Sequence, residues 1–132
     1  MAVKRIGRGL VRKARRRRVR RNRKSGLETL VEEALRAKGV EFKTQYKIGR
    51  CHADLYFPGT NTAVELNGCW FHGHSCLAAL LPRHKRARDR DRRRYTFFLN
   101  RGLHLLVVWE CDAKRDLAAV LKKLLTAAGH SR

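Results

Sequence analysis

The chain contains 132 residues with a mass of 15.3 kDa, which is enough for one domain of ordinary size. Its 32 Lys and Arg residues outnumber 11 Asp and Glu residues, and the formal net charge of +21 repels itself unless a polyanion such as nucleic acid neutralises it. The absence of a long apolar run and of a signal-peptide pattern argues against a membrane or secreted protein. The four cysteines of such a chain are expected to be metal ligands or free thiols and not disulfides.

The first 24 residues differ in composition from the rest of the chain. They contain 13 Lys or Arg residues and no acidic residue. This composition predicts a flexible nucleic-acid-binding arm over residues 1–24, followed by a folded domain over residues 25–132. The candidate phosphate contacts in the arm are Arg15, Arg16, Arg17 and Arg18. A solubilising tail or a nuclear-localisation signal would have the same composition.

The folded part begins with an amphipathic helix. Ser25 is a suitable N-cap, apolar residues recur at helical spacing from Leu27 to Leu35, and Gly39 ends the helix. The chain then continues with strands over 41–46, 52–57 and 62–66, a helix over 84–100, a strand over 103–109 and a helix over 116–128. The second and third strands form a hairpin, and the nearly continuous apolar run of the fourth strand predicts burial on both its faces. This order predicts an α/β sandwich with a small mixed sheet.

Cysteine and histidine residues form a candidate metal site. Cys69, His74 and Cys76 fall within eight residues, and Cys111 follows the predicted fourth strand. Four thiolate and imidazole ligands are what a tetrahedral structural zinc site takes. The residues alone leave two alternatives open. The cysteines can be unrelated buried thiols that bind no metal. In addition, His72 or His84 could replace His74 as a ligand, and Cys51 could replace one of the other ligands.

Acidic residues form a second candidate site on the predicted hairpin. Asp54 lies on its first strand, and Glu65 lies on its second strand, two residues before Asn67. An acid on one strand followed by an acid-x-polar pattern on the next is how metal-dependent nucleases hold Mg²⁺ beside a phosphate. His72 is the nearby candidate base, because its unperturbed pKa is close to neutral. Glu28 and Asp91 are further acids that could converge there.

A second basic concentration lies on the predicted helix over 84–100. Residues 83–94 include eight Lys or Arg residues and only two acids, and apolar residues follow them. This pattern predicts a folded helix whose first half binds phosphates, with Arg86 and Arg90 as contacts.

Two segments resemble a known family. The stretch VELNGCWFHGHSC, from Val64 to Cys76, and the later VVWEC, from Val107 to Cys111, resemble the very-short-patch-repair (Vsr) DNA endonucleases. These are zinc-containing relatives of the type II restriction endonucleases, in the PD-(D/E)xK superfamily. The resemblance runs from about Ser25 to Leu125. It implies a restriction-endonuclease-like α/β/α sandwich with a small mixed central sheet and a structural zinc site.

The resemblance implies roles for individual residues in the active site. Asp54 matches the Mg²⁺-binding aspartate of the family, and His72 matches its catalytic histidine. Glu28 matches the glutamate on the first helix, and Asp91 matches the acid that assists the histidine. The position from which a backbone carbonyl reaches the metal falls at Leu66.

The resemblance also implies the zinc ligands and two residues that contact DNA. The ligands are Cys69, His74, Cys76 and Cys111, which leaves Cys51 outside the site. Trp70 and Phe71 keep two positions that stack into DNA, a task that apolar wedges perform by unstacking bases.

The sequence departs from the family at three places. Glu65 stands where the repair enzymes have an apolar residue, so we expect Glu65 to be a further metal ligand. Ala53 replaces the proline that often precedes the aspartate. The short segment between Cys76 and Asp91 has no equivalent of an additional aromatic wedge, so the resemblance does not extend to T:G mismatch specificity.

The sequence therefore predicts a Mg²⁺-dependent DNA endonuclease that nicks one strand of double-stranded DNA and contains structural zinc. We expect a monomer or weak dimer, without a membrane partner, in the cytoplasm of a bacterium or encoded by its phage. One alternative is a non-catalytic, zinc-stabilised nucleic-acid-binding protein on a nuclease-like fold. The other is an RNA nuclease, which differs only in substrate.

Overall fold

The computed structural model describes residues 24–130 of the chain. The predicted contacts Arg15, Arg16, Arg17 and Arg18 lie outside the described residues, and the boundary between arm and domain stays a prediction. None of the described helices combines the length and the hydrophobicity that a membrane span requires.

The described residues form nine helices and strands. In chain order these are α1 Gly26–Ala37, β1 Lys43–Ile48, β2 Cys51–Phe57, β3 Thr62–Asn67, α2 Cys69–His72, α3 Pro82–Asn100, β4 His104–Trp109, α4 Glu110–Arg115 and α5 Leu117–Ala127. The predicted order is confirmed, with the two short helices α2 and α4 in addition. These have 4 and 6 residues, which is too short for a helical period to show. The first strand lies two residues later than predicted, because it ends at a tight turn after Ile48.

The four strands form one mixed sheet in the order β1-β2-β3-β4. The first three strands are antiparallel neighbours, whereas β3 and β4 are parallel. The fully buried strand is β3, and β4 lies at an edge with His104 exposed. The prediction that strand 103–109 is buried on both faces is therefore wrong. An apolar run does not by itself distinguish a central strand from an edge strand that is partly covered by helices.

Helices cover both faces of the sheet. On one face, Val31 and Leu35 of α1 and Leu124 of α5 pack against Leu55 and Val64. On the other face, Phe98 of α3 packs against Ala53 and Ala63. These layers confirm the predicted α/β/α sandwich, and they leave the ends of β2 and β3 between α1 and α3.

The N-terminus of α1 is fixed by the predicted cap. The Ser25 hydroxyl accepts a hydrogen bond from the backbone N–H of Glu28 at 3.2 Å. Such a cap satisfies one of the free donors in the first helical turn. It also fixes the backbone from which the Glu28 side chain projects.

Candidate active site and metal centre

The hairpin of β2 and β3 opens at Asp54. Paired residues run from Phe57 and Thr62 to Leu55 and Val64, where the β2–β3 ladder ends. Beyond that point, Oδ2 of Asp54 accepts the backbone N–H of Leu66 at 2.7 Å. The Asp54 carboxylate thus takes the place of a backbone carbonyl of β2 as the acceptor for Leu66. This hydrogen bond fixes the carboxylate at the point where the two strands separate.

Glu65 is a buried acid with a cationic partner. Its side chain is only 5% exposed, and Arg94 on α3 donates from Nη2 to its Oε1 at 3.1 Å. The same Arg94 nitrogen donates to the backbone carbonyl of His52. Burial and then the charge of Asp54 raise the pKa of Glu65 to about 8, even though Arg94 acts in the opposite direction. Arg94 therefore offsets part of the cost of an ionised carboxylate at this position.

Glu28 belongs to the same electrostatic cluster. Burial, followed by the charges of Asp54 and Glu32, raises the pKa of Glu28. The charge of Asp54 on β2 therefore acts both on Glu28 of α1 and on Glu65 of β3, which links these three predicted carboxylates electrostatically. Carboxylates whose charges act on one another in this way favour a bound cation.

His72 and Asp91, both predicted site residues, are in direct contact. Nδ1 of His72 and Oδ2 of Asp91 are 2.7 Å apart, and the two side chains are 31% and 17% exposed. When Nδ1–H donates to the carboxylate, Nε2 is left as a proton acceptor. The histidine is the last residue of α2, which ends at Gly73 in the left-handed conformation with φ 63°.

Helix α3 supplies three partners to this site from one face. Asp91, Arg94 and Tyr95 follow the i, i+3, i+4 spacing of helical neighbours, and they contact His72, Glu65 and Asn67, respectively. Nδ2 of Asn67 donates to the Tyr95 hydroxyl at 2.6 Å. Burial, and then the charges of Asp91 and Glu65, raise the pKa of Tyr95 to about 12, so this hydroxyl stays protonated at neutral pH.

Sequence reasoning missed Arg94 and Tyr95. Arg94 is one of eight basic residues in its segment, and Tyr95 begins the apolar part of the helix, so neither residue stands out in the sequence. The available signal was the spacing of Asp91, Arg94 and Tyr95, which places three polar side chains on the face that also buries Phe98.

The candidate metal centre consists of Cys69, His74, Cys76 and Cys111. Each of these residues offers one ligand atom, and the four atoms lie within 4.8 Å of one another. Nδ1 of His74 is 3.8 Å from Sγ of Cys69 and 3.4 Å from Sγ of Cys111. Bond lengths of about 2.3 Å for Zn–S and about 2.0 Å for Zn–N put neighbouring ligand atoms about 3.5 Å apart in a tetrahedron. The three thiols and one imidazole therefore fit a single zinc ion.

The alternative zinc ligands have other partners. Nδ1 of His72 contacts Asp91, and Nδ1 of His84 accepts the backbone N–H of Leu81 at 2.9 Å. Cys51 packs beside the core under α3. Trp109 instead supports the centre, because its ring stacks on His74 with centroids 4.2 Å apart. This stacking holds the imidazole in the orientation in which Nδ1 faces the thiols.

The predicted DNA contacts that lie in the described residues are on the surface. Phe71 is 77% exposed and Trp70 is 48% exposed, although both belong to the short helix that carries His72. An aromatic side chain this exposed is not part of the core. Arg86 and Arg90 are also exposed, on α3.

Comparison with known proteins identifies a family and two bacterial relatives. The family model described as DNA mismatch endonuclease Vsr matches residues 10–78. The chain is 28% identical over 106 residues to the type II nicking enzyme V.XorIIP of Xanthomonas oryzae, covering 74% of this chain and 77% of that protein. It is 27% identical over 96 residues to the type II nicking enzyme V.NmeAIP of Neisseria meningitidis, covering 66% and 69% of the two chains.

A solved structure supports the fold. The catalytic domain of the homing endonuclease I-Bth0305I superposes with a TM-score of 0.58 at 17% sequence identity, covering 83% of this chain and 100% of that domain. The predicted endonuclease fold is confirmed, and the family match sets aside both a non-catalytic binding protein and an RNA nuclease. The family model matches more than half of the chain, whose fold is that of an endonuclease, and the chain therefore belongs to the Vsr family of DNA mismatch endonucleases and is a DNA endonuclease.

Proposed function

We propose that this endonuclease uses Mg²⁺ to hydrolyse phosphodiester bonds in double-stranded DNA and that it nicks one strand. The observation that carries the proposal is the interaction of the Asp54 charge with Glu28 and Glu65, together with the hydrogen-bonded pair of His72 and Asp91, whose carboxylate charge also acts on Glu65. The Xanthomonas and Neisseria relatives, both named as nicking enzymes, support the nicking outcome. A monomer with one such site cuts one strand in each binding event.

The cation site is formed by Asp54 and Glu65, with the backbone carbonyl of Leu66. Asp54 is already fixed by the N–H of Leu66, and Arg94 engages Oε1 of Glu65. When Mg²⁺ is bound, it stabilises negative charge on the phosphate and on the leaving oxygen in the transition state. The protein contributes a fixed set of carboxylates, so little reorganisation is needed before the reaction.

His72 accepts a proton in the reaction, and Asp91 orients its imidazole. Asp91 accepts the Nδ1–H of His72 and holds the imidazole in one orientation, so that Nε2 takes a proton from the attacking water. Glu28 approaches from α1 and orients that water. Because Asp91 acts through His72, it is a positioning residue.

Zinc has a structural role in this proposal. Four protein ligands complete a tetrahedron and leave no open position for substrate. An ion held by Cys69, His74, Cys76 and Cys111 connects the segment after β3 to the end of β4. That connection fixes α2, and with it His72 and the exposed aromatic residues.

Surface residues would bind the DNA. Trp70 and Phe71 stack against bases beside the site, while Arg86 and Arg90 contact phosphates. We place the enzyme in the cytoplasm of a bacterium or a phage-infected cell, because the named relatives are bacterial.

A plasmid assay tests the proposal. Purified protein is incubated with supercoiled plasmid and Mg²⁺, beside the variants Asp54→Asn and Asp89→Asn. Asp89 is an exposed acid of α3 without an ion pair in the described residues, so its variant removes the same charge outside the site. We expect open-circular product from the wild type and from Asp89→Asn, but none from Asp54→Asn. Equal nicking by all three proteins would refute the assignment of Asp54, and linear product from the first cut would refute single-strand nicking.

A further inference from the structure

We propose that one face of α3 forms a track for the phosphates of a single DNA strand. The track consists of Arg83, Arg86, Arg90 and Arg93 and is continued by Arg50 in the turn between β1 and β2. The inference deepens the proposed function, because it takes double-stranded DNA as the ligand and names the path that one strand follows. We refer to these five residues as the arginine track.

The four helical members of the arginine track lie on one face. They follow one another at spacings of three, four and three residues, which places them in a row on a helix. All four are exposed. The row spans about 15 Å at 1.5 Å per residue. Four nucleotides of one strand rise by a similar distance of about 14 Å along a B-form duplex.

No member of the arginine track is engaged in an ion pair in the described residues, although one acid, Asp89, lies three residues after Arg86 and four before Arg93. Neither residues 1–23 nor residues 131–132 contain an acid that could supply an ion pair. Like charges at i, i+3 and i, i+4 destabilise a helix. A row of four such charges is therefore unfavourable in the free protein and becomes favourable when a polyanion lies along it.

The turn between β1 and β2 is packed so that Arg50 extends this row. Gly49 adopts φ +58°, and a Cβ there would lie 2.8 Å from Cζ of Phe97. The positive φ and the contact with the Phe97 side chain both favour glycine at this position. The Arg50 guanidinium lies over the Phe97 ring at 5.5 Å from its centroid. Arg50, Arg90 and Arg93 then line one groove of 320 Å³.

The position of the arginine track relates it to the active site. At one end, Arg83 lies over the ring of Trp70 at 4.4 Å. Arg94 lines the same groove as Arg50 while it donates to Glu65. A strand on the track would therefore run from the exposed Trp70, past the catalytic carboxylates, to the β1–β2 turn.

Helix α3 provides a matched control. The buried residues His84, Ala87 and Phe98 separate the arginine track from Lys85 and Arg88, which are exposed on the other side of the helix. The double variants Arg90→Ala/Arg93→Ala and Lys85→Ala/Arg88→Ala each remove two positive charges from the same helix. Both pairs are on the surface, so thermal unfolding should be similar for the two proteins.

Binding is measured by fluorescence anisotropy with a short labelled DNA duplex across a range of KCl concentrations. All proteins also carry His72→Ala, which slows cleavage about 10²–10⁴-fold during the titration. The slope of log K against log salt should become shallower by about 1.8 for Arg90→Ala/Arg93→Ala, and the affinity at about 0.1 M salt should fall about 60-fold. For Arg50→Ala, which removes one charge, the slope should become shallower by about half as much. Lys85→Ala/Arg88→Ala should leave the slope unchanged.

Three results would overturn the inference. Equal slope changes for both double variants would mean a diffuse charge effect, and an unchanged slope for Arg90→Ala/Arg93→Ala would mean that no phosphates lie there. Weakened binding of an RNA duplex with unchanged DNA binding would assign the face to RNA. Because this readout needs no cleavage, it is independent of the proposed function, which fails separately if the wild type does not nick plasmid.

Discussion

The hydrogen bond between His72 and Asp91 predicts how their substitutions combine. Removing a general base costs about 10²–10⁴-fold in rate, so His72→Ala should slow nicking by that factor, or about 3–5 kcal/mol in activation free energy. Asp91 contacts the imidazole through a single 2.7 Å hydrogen bond to Nδ1. Replacing an aspartate that orients a general-base histidine by Asn favours the wrong tautomer and costs up to about 10⁴-fold, so we expect Asp91→Asn to lose about as much rate as His72→Ala.

The double variant separates a positioning role from an independent one. If Asp91 acts only by orienting His72, then His72→Ala/Asp91→Asn should be no slower than His72→Ala, and the coupling energy should equal the whole effect of Asp91→Asn, about 3–5 kcal/mol. The assay is the single-turnover rate of nicking of an end-labelled duplex at saturating protein. Asp89→Asn, two residues away on the same helix, should keep the wild-type rate. Additive losses in the double variant would refute the pairing.

Three further predictions concern surface, metal and core residues. Phe71→Ala should change the unfolding free energy by less than about 0.5 kcal/mol, because the residue is 77% exposed. It should nevertheless weaken DNA binding by about 1–3 kcal/mol in the anisotropy assay. The control Leu99→Ala, at a residue that is 55% exposed, should leave binding unchanged in the same assay. Cys76→Ser should reduce the zinc content measured by mass spectrometry and lower the melting temperature, although the residue is exposed, while Cys51→Ser should retain one zinc per chain. Phe98→Ala should lower the unfolding free energy in urea by about 3–5 kcal/mol, since the ring is fully buried, and a loss below 1 kcal/mol would contradict its place in the core.

The elements that local chemistry defines could be predicted from the sequence. The Ser25 cap, the hairpin that carries Asp54 and Glu65, and the long basic helix have strong local signals, and all are present. The cysteine and histidine pattern likewise led to a set of four ligand atoms that the fold brings together. These features depend on residues near one another in the chain, or on chemistry specific enough to connect distant ones.

The features that were missed depend on how the elements pack. The contact between Arg94 and Glu65 needs the orientation of α3 across the sheet, which no local pattern contains. The same is true of the edge position of β4, because burial of an apolar strand is decided by its neighbours. The position of Gly49 against Phe97 also became visible only when the turn and the helix were placed together.

The most direct test of the proposed active site is the single-turnover nicking rate as a function of Mg²⁺ concentration, for the wild type and for Asp54→Asn. Loss of a metal ligand removes several kcal/mol of transition-state stabilisation, or at least about 10²-fold in rate. We expect the wild-type rate to rise with Mg²⁺ and saturate, and the Asp54→Asn rate to stay at least about 10²-fold lower at every concentration while duplex binding is retained. Nicking by the wild type at full rate in the presence of EDTA, or by Asp54→Asn at the wild-type rate, would contradict the assignment of the carboxylates as the catalytic metal site.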